Sequence, residues 1–242
     1  MTEPTIAPVQ TQPAKAGIEA LASIPLKANN SSDLEALASR TYRFVAVDVE
    51  TANRQHSSIC QVGLAMVSNH GDIETIGILI DPEQDFESSN VSLHGIDAAT
   101  VAGAPGFRTV IQSLRPFLER HILVQHSNFD KQAFAAAAKF HDVPELRANW
   151  FDSVKIARRA WPELKGNGGH GLANLKTFLD LDFEHHDAEE DARAAAEVVL
   201  LAETATGSDF SDLAKSRSQN YQTSVAIAGN QSGALYGHVV CF

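Results

Sequence analysis

Two carboxylates placed two residues apart, Asp48 and Glu50, follow the apolar run Phe44-Val45-Ala46-Val47. Side chains along a strand alternate with a period of two, so both acids leave the same face and converge on one point. Adjacent carboxylates repel and raise each other's pKa unless a cation lies between them. A hard divalent ion suits that place. Mg²⁺ and Mn²⁺ prefer oxygen ligands, with water and substrate phosphate filling the positions that carboxylates leave open. Taken alone, the pair is better read as two solvated acids at a strand end, so its meaning depends on what else the chain carries.

Two further segments aim acids toward a common point. Asp130 falls in the first turn of a helix that follows the strand His121-Ile122-Leu123-Val124-Gln125. By itself it reads as an acid matched to the positive end of a helix dipole. The other segment is His185-His186-Asp187-Ala188-Glu189-Glu190-Asp191-Ala192, at the start of a long helix. His186 and Asp191 are five residues apart, about 140° around a helix of 3.6 residues per turn. They face one site only if His186 lies in the loop before the helix and Asp191 lies one turn inside it. Asp187, Glu189 and Glu190 read as dipole-matched acids outside the site.

The elements that must hold these residues follow from the hydrophobic pattern. Extended runs cover Tyr42 to Val47, Cys60 to Val67 and Thr75 to Ile80, with Asn69-His70-Gly71-Asp72 as a turn between the second and third. A helical pattern runs from Phe107 to Arg120, with Val110, Ile111, Leu114, Phe117 and Leu118 on one face. After the strand ending at Gln125 come an Ala-rich helix through Phe140, a helix around Asp152 to Ala160, a helix from Leu172 to Leu179, and a long one from Asp187 to Thr204. The glycine-rich stretch Gly166 to Gly171 lacks the Gly-Lys-Ser/Thr ending of a phosphate-binding P-loop. Strands first, then strands alternating with helices, imply an α/β fold with a mixed central sheet flanked by helices.

Residues 1–40 are rich in Pro, Ala, Thr, Gln, Asn and Ser, without sustained periodicity, and read as a flexible leader. The compact domain spans 41–205, and 206–232 reads as a linker. The chain has 242 residues, 44% hydrophobic and 20% charged, which is the composition of an ordinary globular protein. A formal net charge of −11 argues against a protein that holds nucleic acid chiefly through a basic surface. It leaves room for an enzyme that grips phosphates through metals. Two cysteines, Cys60 and Cys241, provide neither a disulfide framework nor a zinc set. With no secretory signal and no apolar stretch of membrane-spanning length, the expectation is a cytoplasmic protein with no membrane partner.

Taken together, Asp48-x-Glu50 after an apolar strand, Asp130 in an Asn-Phe-Asp turn, and His186 with Asp191 five later resemble the three motifs of the DEDDh, or DnaQ-like, 3′-to-5′ exonucleases. The bacterial DNA polymerase III epsilon subunit belongs to that family. Thr51 directly after the glutamate, Cys60-Gln61-Val62-Gly63, Leu93-His94-Gly95-Ile96 and Gly171-Leu172-x-x-Leu175 extend the likeness, which covers roughly residues 42 to 205. The resemblance implies an RNase H-like fold and two ions of Mg²⁺ or Mn²⁺. Asp48, Glu50 and Asp191 would hold the first ion, and Asp48, with Asp130 directly or through water, the second. It implies His186 as general base, with His185 a neighbour, and Thr51, His94 and Phe129 as substrate contacts. The product would be a nucleoside 5′-monophosphate released from a single-stranded 3′ end, and a polymerase or repair protein would be a natural partner.

Two alternatives stay open: the same chemistry on RNA, as in RNase T-like or oligoribonuclease-like relatives, and a docking module without catalysis. At the C-terminus, Gly233-Ala234-Leu235-Tyr236-Gly237-His238-Val239-Val240-Cys241-Phe242 resembles the first strand of a BRCT domain, and reads equally as an irregular tail.

Overall fold

In the computed structural model, which describes residues 23–25 and 39–215, the apolar runs assemble into a six-stranded mixed sheet. Its strands are β1 (Ser23–Pro25), β2 (Phe44–Thr51), β3 (Ile59–Val67), β4 (Ile73–Leu79), β5 (Ile122–Gln125) and β6 (Asn149–Asp152). The spatial order is β1-β4-β3-β2-β5-β6. The meander β2-β3-β4 is antiparallel, whereas β5 joins β2, β6 joins β5 and β1 joins β4 in parallel.

Alternation along β2 sorts its side chains between two cores. Val45, Val47 and Val49 pack with α2 (Phe107–Leu118) and α3 (Phe129–Phe140) on one face. Phe44 and Ala46 pack on the opposite face against α6 (Ala188–Thr206), α4 (Ser153–Ala160) and α5 (Leu172–Leu179). Continued two residues at a time, the second row arrives at Asp48 and Glu50, so the acids share the face that carries α6. Every residue of β3 is buried, as expected of a strand covered on both sides.

Several boundaries differ from the sequence expectation. The first strand continues through Thr51, because Asp48 pairs with Gly63 and Glu50 with Gln61 on β3, so both acids sit within the ladder and not beyond its end. β6 was not anticipated; its four residues are polar at both ends and show no alternation. Neither was α1 (Ser88–His94), which buries none of its residues and so carries no periodic apolar signal.

The expected leader and linker are both corrected in part. Ser23–Pro25 pairs with Ile73, Glu74 and Thr75 at the sheet edge. Helix α7 (Phe210–Ala214) follows α6 closely and buries Phe210 and Leu213. The Phe210 ring lies 4.9 Å from that of Phe44, with the Arg43 guanidinium 5.1 Å above it. Two apolar side chains among polar neighbours thus extend the domain past residue 206. The BRCT-like segment 233–242 lies outside the described residues. Among the described residues, no helix is long and apolar enough to cross a membrane.

Candidate active site

The site forms where the start of α6 meets the middle of the sheet. Gly63, opposite Asp48, permits that approach: a Cβ there would stand 1.8 Å from the carbonyl oxygen of Ala188. The Ala188 N–H donates to Gln61 Oε1 at 3.2 Å, and the Asp187 side chain caps the helix by accepting from Glu189 N–H at 2.9 Å. Glu189 accepts from the Thr75 hydroxyl and Glu190 pairs with Arg193, so these acids serve the fold. His186 lies in the loop and Asp191 in the first turn, where its N–H donates to the Asp187 carbonyl at 2.8 Å.

This docking brings Asp191 beside Asp48 and Glu50, with carboxylate oxygens of all three within 4.8 Å of one another. Asp130, at the start of α3, is 2% exposed and accepts from the Val49 N–H at 3.2 Å. It lines the same cavity, of about 530 Å³, outside the tight trio.

Burial is the main cause of unusual titration here. It lifts Asp48 well above the ordinary carboxylate range, and repulsion from Asp130, Asp191 and Glu50 adds to it. Burial, followed by the Asp191 charge, raises Glu50 to about 8. Asp130 rises to about 7, again through burial, although its backbone hydrogen bonds oppose the shift. Asp191 is also raised by burial, against the pull of the His186 N–H and His185. Among the described residues, no Lys or Arg pairs with any of the four. A largely buried, all-oxygen set of acids without a Lys or Arg counter-charge among the described residues is the donor chemistry that a hard divalent cation satisfies. The residues fit such an ion.

The two histidines divide their tasks. His185 Nδ1 lies 2.8 Å from both oxygens of Asp191, and the His186 backbone N–H donates to Asp191 Oδ2 at 3.1 Å. The rings stack at 4.1 Å with 12° between their planes. His186 has a left-handed backbone (φ 75°), and its imidazole lines the cavity without a ring hydrogen bond among the described residues. Burial and the neighbouring His185 lower its pKa, which keeps it neutral and able to accept a proton near pH 7. His185, read as a mere neighbour, is the ring that grips Asp191; sequence offered no sign of this beyond its adjacency.

Of the expected substrate contacts, Phe129 borders the cavity at 39% exposure. Thr51 and His94 do not line it: His94 Nε2 sits 3.1 Å from the Thr51 carbonyl oxygen, joining α1 to the end of β2 beside the site. The cavity also gains His126, Arg158 and His170, which belong to no acidic motif and gave no signal.

The exonuclease family model, RNase_T, matches residues 45–199, a span that contains all of the acids and both histidines. The chain belongs to the exonuclease family, in its DEDDh class of 3′-to-5′ exonucleases. It is 27% identical over 196 residues to the PolC-type DNA polymerase III of Streptococcus pyogenes serotype M5 (strain Manfredo), and 28% identical over 162 residues to that of Streptococcus mutans serotype c. These matches take in 77% and 65% of the chain, which spans only 13% and 11% of those relatives' length. Exonuclease X in complex with 5′ overhanging duplex DNA superposes with a TM-score of 0.58 at 21% identity, over 71% of this chain and 97% of that one. The nuclease domain of 3′hExo, a DEDDh family member bound to rAMP, superposes with a TM-score of 0.59 at 15% identity, over 68% and 94%. The fold is therefore the RNase H-like exonuclease fold.

Proposed function

We propose that this chain hydrolyses DNA from its 3′ end, releasing nucleoside 5′-monophosphates, with single-stranded ends as the engaged species. The observation that carries this reading is the carboxylate trio Asp48, Glu50 and Asp191, its oxygens within 4.8 Å, in one cavity with the His186 ring. Asp48, Glu50 and Asp191 would hold one divalent ion, and Asp48 with Asp130 would hold a second, the pair being Mg²⁺ or Mn²⁺. Bound there, such ions neutralise charge that develops on the phosphate and make water a better nucleophile.

The chain's own groups do the remaining work. His186 takes the proton of the attacking water on its free ring nitrogen. The His185 ring and the His186 N–H fix the orientation of Asp191. Phe129, half-exposed at the cavity beside the His56 ring, offers an aromatic ring for a base to stack on, and Thr51 and His94 brace the end of β2 beside the site.

DNA is preferred because the PolC-type relatives are DNA polymerases and Exonuclease X was solved with DNA. A role in proofreading, repair or end trimming in the cytoplasm, beside a polymerase or repair partner, follows from the same likeness. An RNA substrate is the second reading, favoured by the rAMP bound to 3′hExo. Incubating the chain with matched DNA and RNA single strands in Mg²⁺ or Mn²⁺, and identifying products by chromatography, separates the two. Nucleoside 5′-monophosphates should accumulate faster from DNA. Faster release from RNA would reverse the substrate assignment, and products carrying 3′-phosphates would contradict the mechanism.

A further inference from the structure

Three buried carboxylates, Glu50, Asp130 and Asp191, stand with the half-buried Asp48 in a site meant for a polyanion, on a chain of net charge −11, so a strand needs positive charge somewhere in the wall. Helix α4 contributes none of the acids but carries Lys155, Arg158 and Arg159. Lys155 lies 3.9 Å from Asp152, and Arg159 donates to the Asp212 carbonyl at 3.4 Å. Arg158 is exposed and has neither an ion pair nor a hydrogen bond among the described residues. Among the described residues it is the only Arg or Lys lining the cavity, one turn along α4 from Val154, which lines it too.

The neighbouring histidines are committed elsewhere. His126 Nδ1 lies 2.8 Å from the Ser153 hydroxyl and Nε2 lies 3.0 Å from the His170 carbonyl oxygen, while His170 Nε2 meets the Trp161 carbonyl at 2.8 Å. Burial lowers His126 to about 4, so it is neutral at working pH. The Arg158 guanidinium is left as the permanently charged group in this wall with its donors free.

We propose that Arg158 binds a phosphate of the strand upstream of the 3′-terminal nucleotide, making it the residue by which the site prefers a polynucleotide to a single nucleotide ester. This rests on the exonuclease reading, in which the acids and their ions take the scissile phosphate and leave the next phosphate to the protein. A planar guanidinium donates two parallel hydrogen bonds to phosphate oxygens, which fixes the strand's register as well as its charge.

The test compares a DNA 10-mer with thymidine 5′-monophosphate p-nitrophenyl ester, which has one phosphate, in Mn²⁺. For the 10-mer, Arg158→Ala should raise KM about 10-fold with kcat little changed, and the slope of log KM against log salt should fall by about 0.7. The ester should be hydrolysed as before, Arg158→Lys should recover part of the affinity, and Lys155→Ala, as a charge control, should leave both substrates unaffected. Unchanged melting temperatures would exclude a structural effect. An unaltered KM for the 10-mer, or an equal loss on both substrates, would overturn the assignment. A wild-type chain that turns over neither substrate overturns the exonuclease reading instead, and this inference with it.

Discussion

Asp48 and Gly63 stand opposite each other on β2 and β3, and the glycine's missing side chain is what lets Asp191 reach the aspartate. A Cβ at residue 63 would meet backbone atoms of Ala188 and Glu189, which cannot move without carrying the first turn of α6 away from the sheet. Gly63→Ala should therefore retain the fold at a cost of about 1–3 kcal/mol. Its turnover should fall on the order of 10²-fold through misplacement of Asp191. Thermal melts paired with rate measurements check this, and an alanine variant as active as wild type would contradict the docking account.

Stability should depend on pH and metal in a linked way. Burial raises Glu50 to about 8 and Asp130 to about 7 in the folded chain, and it lifts Asp48 well above the ordinary carboxylate range. A carboxyl whose folded pKa exceeds its unfolded value binds more protons folded than unfolded, so stability falls as pH rises between the two. In EDTA, raising pH from 6.5 to 9 should lower the melting temperature on the order of 5 °C. Saturating Mg²⁺ should stabilise the chain most at the alkaline end. A melting temperature that rises with pH in EDTA has the wrong sign for this site.

His186 is separable from metal binding. His186→Ala should lose roughly 10²- to 10⁴-fold in kcat while Mn²⁺ still binds, as titration calorimetry would register. Loss of binding would make His186 a ligand and not the base.

The C-terminal boundary also has a consequence. Phe210 is 3% exposed, against Phe44 and Phe151. Phe210→Ala should destabilise the domain by about 3–5 kcal/mol in denaturant titration, whereas a true linker residue would cost almost nothing.

What could be read in the sequence were features with a period or a fixed spacing. The valines of β2 and the amphipathic face of Phe107–Leu118 announce their elements, and the order of Asp48, Glu50, Asp130, His186 and Asp191 announces the site. β6, α1 and α7 were not legible, because each is at most seven residues long and too short to express a period. His185, His126 and Arg158 reach the cavity through tertiary packing between segments far apart in the chain, which no local pattern records.

The central claim is that the Asp48 trio drives metal-dependent shortening from the 3′ end. A 5′-labelled DNA strand incubated in Mg²⁺ with wild type and with Asp48→Ala tests it most directly. Wild type should give a ladder that shortens one nucleotide at a time and vanishes in EDTA, and Asp48→Ala should leave the strand whole. A ladder from the variant equal to wild type, or shortening that persists in EDTA, would contradict the account.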